Sequence, residues 1–172
     1  AEEATFKKEL VAALPHLRRL MDRGVRAEGL VPAFPTKTFP NHYTLVTGLT
    51  PERHGIIANV IRDAALGTFR TDDTLAVWES RWWGGEPIWV TAEKQGRRAA
   101  TYFWPGSEAA IGGVRPTWYE RYEHTRPIAV RVQQVLTWLA IPADSAPAII
   151  TLYLSDTDSD GLLDPTEDGL GT

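Results

Sequence analysis

Thr38 lies in the stretch Phe34-Pro-Thr-Lys-Thr-Phe-Pro-Asn-His-Tyr-Thr-Leu-Val-Thr-Gly48, with a lysine before it and Phe39-Pro40 after it. The spacing predicts a short helix over residues 39–47, closed by Gly48, with Thr38 at its N-cap and Pro40 in the first turn, where a missing N–H costs little. Such a hydroxyl has two uses. It can cap a surface helix, or it can be a nucleophile at a place where backbone N–H groups favour an anion and so hold a phosphate beside it. An alkyl hydroxyl attacks only when a base or a metal lowers its pKa. The stretch holds no cysteine, and its His42 lies inside the expected helix. Lys37 could meet a substrate phosphate or simply be solvated. A second constellation lies near the end of the chain. Asp156-Thr-Asp158-Ser-Asp160-Gly161-Leu-Leu-Asp164-Pro-Thr-Glu167 satisfies the spacing D-x-D-x-D-G-x-x-D-x-x-E. Carboxylates at alternating places, a carbonyl at Leu162 and a bidentate Glu167 match the oxygen demand of calcium. A polar acidic terminus that stays disordered is the competing reading.

Positioning these groups is the task of 172 residues, 43% hydrophobic and 23% charged, an ordinary balance for one domain with a real core. The net charge of −4 argues against binding nucleic-acid duplexes. No run of about 18 apolar residues occurs, so no membrane span is expected. The first residues, AEEATFKKEL, lack the pattern of a secretion signal, which leaves a cytosolic protein or one whose signal precedes this numbering. There is no cysteine for a disulfide, a nucleophile or a metal, and the seven tryptophans are expected in core and pocket walls.

The pattern along the chain predicts helix over 4–23, divided at Pro15 and stopped at Gly24, from Phe6, Leu10, Val11, Leu14, Leu17 and Leu20. GVRAEGLVPAF reads as a strand leading to Thr38, and TPERHGIIANVIRD as turn, strand and turn. EPIWVTAEKQG then reads as a helix and RRAATYFW as a strand. PIAVRVQQVLTWLAI reads as a helix with Ile128, Val132, Val135, Leu136 and Leu139 inward. APAIITLYL is a continuous apolar strand of the kind found inside parallel sheets. The fold class is therefore α/β, a mainly parallel sheet flanked by helices over 1–155, with an acidic, calcium-loop-like tail over 156–172.

PTKTFPNHYTLVTGLTPERHGIIANVIRD, RWWGGEPIWVTAEKQG, ATYFWPGSEAAIGGVRPTWYERY and IITLYL occur in this order over roughly residues 14–161. Together they resemble the N-terminal part of the catalytic domain of the nucleotide pyrophosphatase/phosphodiesterases, type I phosphodiesterases of the alkaline phosphatase superfamily. The resemblance implies an alkaline phosphatase-like fold and a two-zinc site. It implies that Thr38 is a zinc-bound nucleophile forming a phosphothreonine, and that Asn59 donates to a phosphate oxygen. An amide suits that role because it donates without titrating. Phe39, Trp104, Tyr122 and Tyr153 match positions lining the family's nucleotide pocket, and flat rings suit base stacking. It further implies a nucleotide or other phosphodiester substrate and a periplasmic or extracellular setting. Oligomeric state is not read from it.

The match breaks at the metal ligands. The strand ending in Asp-Gly that supplies one ligand in the family has no counterpart around Glu2. The D-x-x-G-H motif reads Asp158-Ser-Asp-Gly-Leu162, which keeps the aspartate and replaces the histidine with a side chain that has no lone pair. His16, His42, His54 and His124 show no ligand-like spacing and read as surface or capping residues. Thr38 and Asp158 are the zinc ligands the resemblance places, short of the three or four protein ligands zinc needs. Asp158 is also claimed by the calcium reading, beside Asp156, Asp160, Asp164 and Glu167. Two functions stay open: a phosphodiesterase, or a catalytically incomplete member acting as a nucleotide-binding or calcium-stabilised module.

Overall fold

The computed structural model describes residues 15–155, apart from Arg26 and the side chain of Leu17. The chain forms two compact units, Ala1–Pro32 and Ala33–Thr172. In the first, helix α1 (Pro15–Arg23) opens on a proline, whose missing N–H is an orphan there anyway, and closes with the Gly24 N–H on the Leu20 carbonyl at 2.8 Å. The expected helix over 4–14 and the acidic tail both lie outside the described residues. The strand expected over 24–34 does not form. Val25, Leu30, Val31 and Phe34 are all exposed there, and no described segment pairs with this stretch to satisfy a ladder.

The second unit begins its regular structure with α2 (Thr38–Thr47) and the single turn α3 (Pro51–His54). An antiparallel hairpin follows, β1 (Val60–Asp63) with β2 (Gly67–Arg70), in register Val60 opposite Arg70. Its turn is held by Asp63, whose carboxylate accepts the N–H groups of Ala65 and Leu66, and by Gly67 at φ 85°. Then come α4 (Thr74–Trp78), a 3₁₀ turn over Ser80–Trp82 and α5 (Ile88–Lys94). Next are β3 (Ala99–Tyr102), β4 (Trp118–Glu120), α6 (Ile128–Leu139) and β5 (Ile149–Leu152). The central sheet has the order β4-β3-β5, and both pairings are parallel. The sequence reading of an α/β fold with a parallel sheet flanked by helices holds.

β3 is buried along its whole length because both faces are covered. Ala99 joins a cluster of Tyr43, Ile56, Phe69, Trp83 and Trp89, while Ala100 and Tyr102 join Phe103 and Trp138. α6 departs from expectation. Val132, Leu136 and Leu139 are exposed, and the buried positions are Arg131 and Trp138, with Val135 packed beside Trp138. Positions 131, 135 and 138 are spaced four and three apart, so the helix turns one stripe to the sheet, but a different one. A buried guanidinium is tolerable there because it is satisfied. Arg131 Nε donates to the Arg126 carbonyl at 2.9 Å, Nη1 donates to the Tyr153 carbonyl and Ser155 Oγ, and the Phe103 ring lies 4.9 Å away.

Candidate active site at the carboxyl ends of the parallel strands

Thr38 is the first residue of α2, not its cap. The cap position belongs to Lys37, extended at φ −125°, with no side-chain bond to the helix end. What fixes the entry is Asn41. Its Oδ1 accepts the Ala33 N–H at 2.7 Å, and its Nδ2 donates to the carbonyls of Pro35 and Lys37, each at 3.0 Å. One side chain thus ties the incoming loop to the first turn and sets where Thr38 and Phe39 sit. His42, expected at the surface or in a cap, is half-buried. Its Nδ1–H donates to the Thr38 carbonyl at 2.8 Å, and its ring stands edge-on to Trp104 and Tyr153, each 5.2 Å away. Trp104 Nε1 in turn donates to the His42 carbonyl.

Asn59 reaches the same place from the hairpin. Its carbonyl accepts the Thr71 N–H at 3.2 Å, and its Oδ1 faces the Phe39 N–H, an orphan donor of the helix start, at 3.5 Å. The Nδ2 group of Asn59 has no partner among the described residues. Thr38, Phe39 and Asn59 form one wall of a cavity of about 720 Å³. Across it stand residues that follow the sheet strands: Phe103 and Trp104 after β3, Arg121 and Tyr122 after β4, and Tyr153 after β5. Ligand sites of open α/β sheets lie at these carboxyl ends. Phe103 turns the chain sharply at φ 59°, rare for a side chain of its size. Of the residues predicted from sequence, Thr38, Phe39, Asn59, Trp104, Tyr122 and Tyr153 all line this cavity; Lys37 does not.

Several lining groups were not foreseen. Glu108 accepts the Tyr122 N–H at 2.9 Å through one oxygen and the Trp78 Nε1–H through the other. Asp72 is gripped by Arg70 through both oxygens at 2.9 and 2.8 Å, which pulls its carboxyl below the usual range. The Arg121 guanidinium lies over the Trp78 indole, 4.1 Å from its centre. The one signal that could have found them is position just past a strand end, which holds for Arg121 only. His124, expected at the surface, is exposed and also lines the cavity, with its Nδ1 3.2 Å from the Tyr122 hydroxyl. His54, expected at the surface, is fully buried and lies away from the cavity.

For a metal, the donor set falls short. Among the described residues no three of histidine, cysteine, aspartate and glutamate come together. Asp156, Asp158, Asp160, Asp164 and Glu167 lie outside the described residues, so neither the zinc nor the calcium reading of Asp158 meets any geometry. The residues around Thr38 do not by themselves fit a zinc ion.

A family model described as type I phosphodiesterase / nucleotide pyrophosphatase matches residues 4–163. The chain is 45% identical over 148 residues to the venom phosphodiesterase of Macrovipera lebetinus, covering 86% of this chain and 17% of that one. It is 43% identical to human ectonucleotide pyrophosphatase/phosphodiesterase family member 1, covering 86% and 16%. In structure it is similar to murine ectonucleotide pyrophosphatase/phosphodiesterase 5, with a TM-score of 0.78 and 34% identity over 86% of this chain and 39% of that one. An inactive variant of that murine protein, in complex with AMP, superposes equally well. The chain thus spans less than a fifth of the length of these curated relatives.

Proposed function

Because the chain belongs to the type I phosphodiesterase / nucleotide pyrophosphatase family, we propose that it carries the nucleotide pocket and the nucleophile of a hydrolase cleaving phosphodiester or pyrophosphate bonds of nucleotides. The observation that carries this reading is that the Thr38 hydroxyl, at the mouth of α2, shares one aromatic-walled cavity with Asn59. The AMP bound by the murine neighbour supports a nucleotide as occupant. The base would lie among Phe39, Trp104, Tyr122 and Tyr153, where ring faces stack on any base. The phosphate would lie at the start of α2, beside backbone N–H groups and the free Nδ2 of Asn59.

In the proposed reaction Thr38 Oγ bonds to phosphorus as the bond to the leaving oxygen breaks, and the hydroxyl proton ends on that leaving oxygen. Water then hydrolyses the phosphothreonine to release the phosphate monoester and restore the Thr38 hydroxyl. Asn59 Nδ2 donates to the non-bridging oxygen on which charge builds. The two-zinc centre that the family resemblance implies would draw on donors beyond the described residues, Asp158 first. That no three metal-binding side chains come together among the described residues favours a second reading, in which the chain binds nucleotide without turning it over. A setting outside the cytoplasm is part of the proposal, supported by the ectonucleotide relatives.

Assaying a chromogenic phosphodiester with added zinc, in parallel with AMP binding by calorimetry, separates the two readings. Turnover that drops by about 10³-fold or more in Thr38→Ala, with AMP binding kept, is the expected result for the enzyme. AMP binding without turnover by the wild-type chain establishes the second reading. A folded protein that does neither overturns both.

A further inference from the structure

Arg121 is the first residue past β4, and its guanidinium rests on the face of Trp78 with both residues in the cavity wall. The nearby carboxylates are occupied. Asp72 holds Arg70 with both oxygens, and each oxygen of Glu108 already accepts an N–H, from Tyr122 and from Trp78. Among the described residues Arg121 itself makes no salt bridge and donates no hydrogen bond; its one contact of this kind is the indole. The stack supports the guanidinium on a rigid surface and leaves its fork of N–H donors unfilled.

Resting on the reading of the cavity as a nucleotide pocket, the role of Arg121 follows from where the base lies. A base held among Phe39, Trp104, Tyr122 and Tyr153 would have Arg121 beside it, since Arg121 adjoins Tyr122 in the chain and lines the same cavity. We infer that Arg121 is a specificity-determining residue that reads the acceptor edge of the base, so that the site prefers 6-oxopurine nucleotides to adenine nucleotides. In guanine and hypoxanthine the O6 and N7 atoms are two acceptors side by side, which a guanidinium meets with two parallel N–H bonds. In adenine the 6-position carries an amino donor, which confronts the cation with hydrogens. A good bidentate pair of this kind discriminates by about tenfold or more.

The test is calorimetric titration of the full chain with GMP, IMP, AMP and ADP, repeated on Arg121→Met, which keeps apolar contact with Trp78 and removes the donors. GMP and IMP are expected to bind about tenfold more tightly than AMP. In Arg121→Met that preference should shrink to within about twofold, through loss of GMP and IMP affinity with AMP unchanged. Equal binding of GMP and AMP by the wild-type chain, or a preference that survives the substitution, overturns the inference and leaves the pocket standing. An Arg121-dependent gain for ADP over AMP, with no gain for GMP, also overturns it, since the cation then holds a second phosphate. Absence of all nucleotide binding by a chain with a native circular dichroism spectrum sinks the nucleotide pocket together with this inference.

Discussion

His54 shows how much one buried side chain can fix. Its Nδ1 accepts the Ile56 N–H at 3.2 Å, so the ring proton sits on Nε2, which faces Thr44 Oγ1 at 3.0 Å, while the Tyr43 ring meets it edge-on at 4.9 Å. Burial lowers its pKa from the ordinary value of 6.5, and backbone hydrogen bonds at Pro40 and at His54 itself oppose this more weakly. The folded chain therefore resists the proton that the unfolded chain accepts below pH 6.5. Stability is complete above that value and falls as pH drops below it towards the folded pKa. The melting temperature is expected to decline between pH 6.5 and 5, and His54→Gln should flatten that slope while lowering the melting temperature at neutral pH. The carboxylates Asp72, Glu79 and Glu86, whose pKa values are lowered by hydrogen bonds from Arg70, Arg81 and Lys94, act only at more acidic pH. A melting temperature that stays flat from pH 7 to 5 would show that the ring is not protected in this way.

At the scale of elements, the start of α2 depends on a residue that does not line the cavity. Asn41 makes three hydrogen bonds to the loop at 33–37, and no other side chain described there replaces them. Asn41→Ala should destabilise the chain by about 1–3 kcal/mol, because the Ala33 N–H loses its partner while the carbonyls of Pro35 and Lys37 keep one backbone N–H each. The same change should weaken AMP binding several-fold by loosening Thr38 and Phe39. Asn41→Asp keeps the acceptor for Ala33 and loses both donors, so it should fall between wild type and alanine. Urea unfolding and calorimetry measure the two effects, and AMP affinity untouched by a destabilised Asn41→Ala would detach the loop from the site. The opposite wall has its own constraint at Gly106, in the loop after β3. It sits at φ 88°, and an added Cβ would lie 2.9 Å from the Trp83 ring and 3.1 Å from Tyr43. Glycine is what lets the segment bearing Trp104 pass over the aromatic core.

For the whole molecule, the acidic segment 156–167 is the part whose role is most open. β5 leads straight to it, and Ser155, just before it, is buried and bonded to Arg131. If the calcium spacing is used, millimolar calcium should raise the melting temperature and a chelator should reverse the gain, with Asp160→Asn reducing it. Identical melting curves in calcium and in chelator would assign the segment to solvent. Zinc added in place of calcium reports on the competing claim to Asp158, since only the zinc reading couples that residue to Thr38.

Local chemistry made much of this legible in one dimension. Gly48 closes α2 at φ 67° where a glycine stop was expected, because only a residue without Cβ enters that conformation cheaply. The apolar run at 146–154 marked a strand of a parallel sheet, because strands covered on both faces need no polar alternation. The order and type of the long motifs fixed the family. Other features needed the assembled chain. α6 carries apolar residues on more than one side, so periodicity alone could not choose its inner stripe; acceptors at Arg126, Tyr153 and Ser155 drew Arg131 in and left Leu136 and Leu139 outside. The apolar residues of 25–34 look like a strand, but among the described residues no neighbour pairs with them. The set of Trp78, Glu108 and Arg121 is scattered between positions 78 and 121 and joins only in the folded chain, a coincidence of three-dimensional paths that no spacing in the chain encodes.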